Sequence, residues 1–127
     1  MQSEVPIKIF LADDSALIRA RVAAMMAAPP VAIVGQAATA QAAVEGILAG
    51  RPDVVVTDVQ LQTGTGLDVM RLVREAVPGV AFIVLSSHSE PAYRKRYLAE
   101  GARRFLDKSS EFEQLAGAIR DAVPVAH

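Results

Sequence analysis

The sequence contains no cysteine, and that absence removes several kinds of chemistry at once. Without a thiol the chain has no disulfide, no thiolate metal site and no cysteine nucleophile, and it is compatible with a reducing compartment. The sequence also lacks an excess of either charge, because 13 basic and 14 acidic side chains leave a formal net charge of -1. The overall charge therefore gives no general attraction to nucleic acid or to an anionic membrane, and such a partner would have to be met locally.

Long apolar runs are missing as well. No segment approaches the length of a membrane-spanning helix, and the first residues lack the basic region and apolar core of a secretory signal. We therefore expect a cytoplasmic protein without membrane insertion. Its 127 residues, 52% of them hydrophobic, are enough for one compact domain, which we expect to span residues 1–127 with no room for an output domain.

Short runs rich in β-branched residues alternate along the chain with segments of helical periodicity. We predict strands at residues 7–12, 31–35, 53–58, 80–85 and 103–106. A helix is predicted after each of them. This alternation, with short connections, predicts an α/β fold of βαβ units wound right-handedly into a parallel sheet with helices on both faces.

Capping residues and glycines mark several helix boundaries. Ser15 and Thr39 are predicted N-caps, and Gly50 is predicted to end the second helix. Ser110 and Glu113 are predicted to form a capping box at the start of the last helix. Apolar residues recur at helical spacing along the first helix, which Pro29-Pro30 is predicted to stop: Leu17, Ile18, Val22, Met25 and Met26.

Polar and charged residues follow the predicted strands at their carboxyl ends. They are Asp13 and Asp14 after the first strand, Asp58 after the third, Ser86 after the fourth and Lys108 after the fifth. Taken singly, each has an ordinary structural explanation as a turn, cap or solvated residue. A parallel sheet, however, gathers all of them at one edge, where ligands bind in open α/β sheets.

Three carboxylates gathered at one edge would repel each other. Two unit charges about 4 Å apart interact by roughly 4 kcal/mol at an effective dielectric constant of about 20. The arrangement therefore needs a cation, a raised pKa, or both. A divalent metal ion is the simplest solution.

These residues, in this order and at this spacing, give the chain a specific resemblance. Over essentially its whole length it resembles the receiver domain of two-component response regulators. The match rests on the pair Asp13-Asp14, on Asp58 with Gly66 eight residues later, on Ser86, and on Phe105 three residues before Lys108. The resemblance implies a single-domain, doubly wound (βα)5 flavodoxin-like fold with a five-stranded parallel sheet of order 2-1-3-4-5.

The resemblance also implies a reaction. Asp58 would accept a phosphoryl group from a sensor histidine kinase or a histidine phosphotransfer protein, with Mg2+ as the cofactor. Lys108 would pair with one phosphoryl oxygen, and the hydroxyl of Ser86 would donate to another. The metal ligands that the resemblance implies are Asp13, Asp14, Asp58 and the backbone carbonyl of Gln60.

Switching is implied in the same way. In receiver domains a hydroxyl residue moves toward the phosphoryl group and an aromatic residue follows it inward, and Ser86 and Phe105 occupy these two positions. The surface of the fourth helix, fifth strand and fifth helix (α4-β5-α5) is then expected to change shape and to control a downstream protein partner. Phe105 has an equally good explanation as a core residue.

Two further residues are expected to tune the lifetime of the phosphorylated state. Gln60 stands two residues beyond Asp58, and His88 stands two residues beyond Ser86. By resemblance, these positions flank the water that attacks the phosphoryl group. For His88, a solvated surface histidine is an equally good explanation.

Two positions depart from common receiver sequences. Ser109 follows Lys108 where many receivers have proline, and because a cis bond before a non-proline residue costs roughly 2.5–4 kcal/mol, we expect a trans bond. Gln62 replaces a frequent proline in the loop after Asp58, which should leave that loop less rigid.

A basic cluster is predicted on the fourth helix and the start of the fifth strand. Its members, with the tyrosines among them, are Arg94, Lys95, Arg96, Arg103, Arg104, Tyr93 and Tyr97. The cluster is either a solvated face or a docking surface for an acidic partner. Direct contact with nucleic acid is not expected, because no reading module is recognisable.

The sequence thus favours a single-domain regulator that is not an enzyme, a switch that catalyses only its own phosphorylation and dephosphorylation. A phosphorelay intermediate, the N-terminal part of a longer transcriptional regulator and a receiver that binds without phosphorylation stay open. A magnesium-dependent phosphohydrolase is disfavoured, because such enzymes commonly carry an acid where Gln60 stands. A nucleotide or flavin binder is disfavoured, because acidic residues replace a glycine-rich loop after the first strand.

Overall fold

The computed structural model describes residues 6–26 and 31–123 of the chain. Within them five strands alternate with five helices, as the periodicity predicts. The strands are β1 (Ile7–Ala12), β2 (Val31–Ala37), β3 (Val54–Thr57), β4 (Ala81–Ser86) and β5 (Arg104–Asp107). The helices are α1 (Ala16–Met25), α2 (Ala40–Gly50), α3 (Gly66–Ala76), α4 (Pro91–Ala99) and α5 (Leu115–Ala122), with one turn of 3-10 helix (Phe112–Gln114) before α5.

The strands form one parallel sheet in the order β2-β1-β3-β4-β5, which confirms the implied topology. Every residue of the central strand β3 is buried, which explains its continuous β-branched sequence. In the ladders Ala12 lies opposite Thr57, and Ser86 lies opposite Asp107. The residues that follow these strands therefore emerge at the same edge of the sheet.

The sheet separates two hydrophobic cores. On one face, side chains of α2, α3 and α4 pack together with sheet residues such as Phe10, Phe82 and Phe105. On the other face, side chains of α1 and α5 pack with residues such as Leu11 and Ile83. Both faces of the sheet are covered, as the doubly wound arrangement requires.

The predicted N-caps of α1 and α2 are confirmed. The Ser15 hydroxyl accepts the N–H of Ile18 at 3.1 Å, and the Thr39 hydroxyl accepts the N–H of Ala42 at 3.2 Å. The predicted end of α2 is confirmed, because Gly50 is its last helical residue; Arg51, which follows it, takes the left-handed conformation usually left to glycine, with φ of 50°. The Arg51 side chain compensates by donating to the carbonyl of Leu48, one of the last carbonyls of the helix.

The predicted capping box of the last helix is wrong. The helix α5 begins only at Leu115. The N–H of Ser110, which a capping box would pair with the Glu113 side chain, donates to the side chain of Asp107 instead. A capping box does occur at the start of α3. There the Thr65 hydroxyl accepts the N–H of Asp68, and the Asp68 carboxylate accepts the N–H of Thr65.

The core face of α1 is narrower than its sequence suggests. Val22 and Met26 are buried, but Leu17 is 71% exposed and Met25 is also exposed. At 3.6 residues per turn, Leu17 points about 140° away from Val22 around the helix. The apolar spacing of α1 therefore includes a leucine that faces solvent. Among the described residues no helix is long and apolar enough to cross a membrane.

Candidate functional site

Asp13 and Asp58 continue the hydrogen bonding of their strands at the edge of the sheet. The N–H of Asp13 donates to the carbonyl of Ala37 at 3.0 Å, and the N–H of Asp58 donates to the carbonyl of Ala12 at 2.9 Å. Because both backbones are fixed in this way, both side chains are held at the carboxyl ends of β1 and β3.

Three carboxylates meet at this edge, as the sequence predicts. One carboxylate oxygen each from Asp13, Asp14 and Asp58 lies within 4.8 Å of the other two. Asp13 and Asp58 are each only 5% exposed, whereas Asp14 faces solvent. We call these three residues the acidic rim.

Lys108 reaches into the acidic rim from the end of β5. Its ammonium lies 2.9 Å from Oδ2 of Asp13 and 2.8 Å from Oδ2 of Asp58. Burial by itself lowers the pKa of Lys108, but the hydrogen bonds to Asp58 and Asp13 outweigh burial and raise that pKa. The lysine is therefore a permanent cation between the two buried carboxylates.

The remaining oxygens of these two carboxylates accept backbone N–H groups. Oδ1 of Asp13 accepts the N–H of Ser15 at 2.9 Å, and Oδ1 of Asp58 accepts the N–H of Val59 at 2.6 Å. At Asp13 burial nevertheless outweighs Lys108 and the Ser15 N–H, so the pKa of this carboxyl is raised. The ammonium alone does not compensate the buried negative charge.

The donor set of the acidic rim fits a hard divalent cation. All three side chains offer carboxylate oxygens, which Mg2+ prefers, and the carboxylates outnumber the ammonium. The exposed side of Asp14 leaves room for the waters that Mg2+ usually retains. Gln60 lies in the loop after β3, paired with Thr65 in an isolated bridge, and its role as a carbonyl ligand stays a prediction.

Gly66 lies at a point where the backbone approaches the end of β3. A Cβ at this position would lie 2.2 Å from the backbone oxygen of Asp58, so a side chain does not fit there. The N–H of Gly66 donates to the carbonyl of Val59 at 2.9 Å. The spacing between Asp58 and Gly66 therefore has a direct steric cause.

Gln62 forms a backbone hydrogen bond in the loop between β3 and α3. Its N–H donates to the carbonyl of Ala38 at 2.9 Å, and the N–H of Ala40 donates back to the carbonyl of Thr63 at 2.9 Å. A proline at position 62 could not make the first of these bonds. The expectation that this substitution leaves the loop less rigid stays a prediction.

Ser86 is fully buried at the end of β4, and its backbone contacts that of Lys108. Its hydroxyl oxygen accepts the N–H of His88 at 3.0 Å, and its carbonyl accepts the N–H of Lys108 at 3.0 Å. The hydroxyl proton of Ser86 is still available for donation. The His88 side chain is exposed, with its ring 6.0 Å from that of Tyr93.

Phe105 is buried between two residues of α4. Its ring meets Tyr97 edge-on with centroids 6.0 Å apart, and the Arg94 guanidinium lies 5.2 Å from its centroid. Arg94 also donates to the Phe105 carbonyl at 2.7 Å and pairs with Glu111 at 3.0 Å. The ring is thus already buried in this conformation.

Two members of the predicted basic cluster do not lie on an open surface. Tyr97 is 3% exposed, and its hydroxyl accepts the N–H of Leu67 at 3.2 Å and donates to the carbonyl of Val59 at 3.3 Å. Arg94 is held against Phe105 as described above. The exposed basic residues of the cluster are Lys95, Arg96 and Arg103. An aromatic residue with a polar tip can be buried where the tip finds partners, which helical spacing alone does not reveal.

Comparison with known proteins gives one consistent result. A family model described as the response regulator receiver domain matches residues 9–120. The signal receiver domain of the response regulator NarL from Mycobacterium tuberculosis has a TM-score of 0.85 and 31% identity, over 94% of this chain and 96% of that one. The response regulator domain of Thermotoga maritima CheB has a TM-score of 0.86 and 28% identity, over 96% of this chain and 99% of that one.

Longer curated proteins are similar over the same region. The DNA-binding transcriptional activator DevR/DosR of Mycobacterium tuberculosis is 29% identical over 91% of this chain and 54% of its own length. A protein-glutamate methylesterase/protein-glutamine glutaminase of Carboxydothermus hydrogenoformans is 32% identical over 94% of this chain and 36% of its own length. The chain therefore spans about half, or less, of the curated relatives described here.

Proposed function

Because this chain belongs to the response regulator receiver domain family, we propose that Asp58 is its phosphoacceptor and that a histidine kinase or a histidine phosphotransfer protein is the donor. The observation that carries the proposal is the position of Lys108, whose ammonium lies within 2.9 Å of both Asp13 and Asp58. A carboxylate that is to attack an anionic phosphoryl group needs such a neutralising charge beside it.

Asp58 is the best placed of the three carboxylates to attack. It directly follows the central strand β3, between the carboxyl ends of β1 and β4, and its Oδ2 lies 2.8 Å from the Lys108 ammonium. In the reaction a carboxylate oxygen forms a bond to phosphorus, and the bond from phosphorus to the donor's histidine nitrogen breaks, with the electron pair leaving on that nitrogen. Charge develops on the phosphoryl oxygens, where the Lys108 ammonium and the Ser86 hydroxyl donate.

Asp13, Asp14 and Asp58 would hold Mg2+, with the Gln60 carbonyl as a further ligand. When bound, the ion supplies positive charge that neutralises the phosphoryl oxygens. The exposed Asp14 would let the ion exchange with solvent, whereas the buried Asp13 and Asp58 are fixed by their own backbone hydrogen bonds.

Leu17 supports a docking role for the first turn of α1. It is the most exposed large apolar side chain among those described, and it follows Asp13 and Asp14 by only a few residues. We propose that it contacts the phosphodonor protein. The downstream protein partner would bind the α4-β5-α5 surface, because Ser86 is linked through β5 and Phe105 to α4.

Transcriptional regulators among the relatives support a second candidate for the output. DevR/DosR is a DNA-binding activator, and this chain matches about half of it, 54%. A receiver of this kind would act on a DNA-binding region, whereas a single-domain regulator or phosphorelay intermediate would act on a separate protein. In both cases we propose that the chain catalyses only its own phosphorylation and dephosphorylation.

Incubation with Mg2+ and acetyl phosphate, read by intact mass, tests the phosphoacceptor. We expect one base-labile phosphoryl adduct on the wild type and none on Asp58→Asn. Asp121→Asn, an exposed substitution on α5 with the same loss of charge, should behave as the wild type. An adduct that survives Asp58→Asn would overturn the assignment.

Gln60 and His88 are proposed to set the lifetime of this adduct. Substituting both residues by alanine should change the rate of dephosphorylation severalfold, because the water between them would lose its partners. Tyr93→Phe is a matched control next to His88. An unchanged decay rate in the double variant would remove this role.

A further inference from the structure

The turn that follows Lys108 is built around one carboxylate, that of Asp107. Its Oδ1 accepts the N–H of Ser109 at 2.8 Å, the N–H of Ser110 at 3.0 Å and the hydroxyl of Ser109 at 2.6 Å. Three donors on the two residues after Lys108 thus converge on one oxygen. We call residues 107–111 the β5–α5 turn.

The same residue ties this turn to the loop before α4. The other oxygen of Asp107 accepts the hydroxyl of Ser89. The N–H of Asp107 donates to the Glu111 carboxylate at 2.8 Å, and Glu111 pairs with Arg94 of α4 at 3.0 Å. The β5–α5 turn is therefore attached to the loop before α4 through Ser89 and to α4 itself through Arg94.

Lys108 needs this support because its side chain must be placed on two carboxylates at once. Its N–H is held by the Ser86 carbonyl at 3.0 Å, on the β4 side. After Lys108 the chain has Ser109 and not a proline, so no ring restricts the turn. The hydrogen bonds to Asp107 are what fix the direction of the chain there.

We propose that Asp107 is a positioning residue, whose carboxylate folds the turn after Lys108 and so holds the Lys108 ammonium between Asp13 and Asp58. This role rests on the proposed function, in which that ammonium neutralises the phosphoryl group. Among the described residues no ion pair involves Asp107, and its partners are neutral N–H and O–H groups. The carboxylate acts as an acceptor for a turn, not as a counter-charge for the lysine.

The hydrogen bonds also keep Asp107 ionised. The hydroxyls of Ser109 and Ser89, and then the N–H groups of Ser109 and Ser110, hold the pKa of the Asp107 carboxyl well below its usual range. Asn at this position retains an acceptor oxygen for Ser109 and Ser110 and can donate to the Ser89 hydroxyl. Ala retains none of these contacts. The pair Asp107→Asn and Asp107→Ala therefore separates geometry from charge.

Phosphorylation by acetyl phosphate in saturating Mg2+ is the first test. Misplacing the ammonium should slow Asp107→Ala on the order of tenfold to a hundredfold, whereas Asp107→Asn should stay close to the wild type. Equal loss in both variants would show that charge matters and would overturn the positioning role.

Acylation of lysines gives a second test that needs no phosphorylation. The chain has three lysines, and Lys8 and Lys95 are exposed and serve as internal references. Lys108 should react severalfold faster in Asp107→Ala than in the wild type or in Asp107→Asn, with the references unchanged. If Lys108 stays protected in Asp107→Ala, the proposal is wrong even when Asp58 is phosphorylated normally. If the wild type is not phosphorylated but Lys108 becomes reactive in Asp107→Ala, the proposed function fails and the turn contact stands.

A milder variant covers the case in which Asp107→Ala does not fold. Ser89→Ala combined with Ser109→Ala removes the two hydroxyl donors and leaves the backbone donors in place. We expect a severalfold increase in Lys108 acylation and a smaller loss of phosphorylation than in Asp107→Ala. No change in either quantity would count against the proposal.

Discussion

At the acidic rim, the carboxylates of Asp13 and Asp58 share the ammonium of Lys108, whereas at the β5–α5 turn the carboxylate of Asp107 is surrounded by neutral donors. Burial raises the pKa of Asp13 in spite of the lysine, while hydrogen bonds from Ser109 and Ser89 lower the pKa of Asp107. In the first region three carboxylates outnumber one ammonium, a charge balance that suits a divalent cation. The second region has its donors in place and supports the first.

Removing the ammonium of Lys108 should have the largest effect on the acidic rim. Lys108→Met leaves the rim carboxylates without the ammonium that bridges Asp13 and Asp58, so phosphorylation by acetyl phosphate should slow on the order of 100-fold. The measurement is the initial rate of adduct formation by intact mass. Lys95→Met, an exposed lysine on α4, is the matched control and should keep the wild-type rate. A Lys108→Met rate within a factor of about two of the wild type would contradict the role given to the ammonium.

A hydrogen bond outside both regions provides a benchmark for neutral contacts. Tyr97→Phe removes only the hydroxyl that contacts Leu67 and Val59, and it should lower the free energy of unfolding by about 1 kcal/mol, measured by denaturant titration. Tyr93→Phe, an exposed tyrosine on the same helix, should have almost no effect. Equal losses in the two variants would show that the Tyr97 contacts do not stabilise the fold.

Asp14→Asn tests whether the carboxylates of the acidic rim repel each other. It removes one negative charge from the acidic rim without touching the contacts of Lys108, so in the absence of divalent cations the unfolding midpoint should rise slightly. Its affinity for Mg2+ should fall at the same time. Calorimetric titration and thermal unfolding, with Asp121→Asn as the control, check both effects. A lower midpoint together with unchanged Mg2+ affinity would show that the rim carboxylates do not repel each other.

The two regions should also respond oppositely to pH when no divalent cation is bound. Because burial raises the pKa of Asp13, above pH 3.8, the ordinary value for aspartate, the folded chain holds this proton more tightly than the unfolded chain does, and the contribution of Asp13 to the free energy of unfolding falls as the pH rises toward the raised pKa. The contribution of Asp107 is present above pH 3.8 and is lost as the pH falls toward its lowered pKa.

The free energy of unfolding, measured from roughly pH 2 to roughly pH 6, checks these two small pH dependences. Asp13→Asn should remove the decline above pH 3.8, and Asp107→Asn should remove the rise below it. If Asp13 and Asp107 changed the free energy of unfolding in the same direction with pH, the electrostatic distinction between the two regions would be wrong.

The sequence predicts the acidic rim well because topology alone assembles it. Once the runs ending at Asp13 and Asp58 are parallel strands, their carboxyl ends must meet, and Lys108 joins them from β5. No single long-range side-chain contact has to be guessed. The caps of Ser15 and Thr39 were predictable for a similar reason, since their partners lie three residues away.

The contacts that sequence reasoning missed depend on competition or on distant partners. Ser110 carries the pattern of a capping box, but its N–H is taken by Asp107, and this contact helps delay the start of α5 to Leu115. Tyr97 reads as a surface residue beside arginines, but its hydroxyl finds backbone partners 30 and 38 residues away. The packing of α3 against α4 brings such partners together, and the helical periodicity of the sequence does not show which distant groups meet.

Locating the phosphoryl group on the chain tests whether Asp58 is the phosphoacceptor. After reaction with acetyl phosphate and Mg2+, reduction of the acyl phosphate with borohydride marks the modified residue, and peptide mass spectrometry identifies it. We expect a mark at Asp58 alone, dependent on Mg2+. A mark at Asp13 or Asp14, or a reaction that proceeds equally well without a divalent cation, would contradict it.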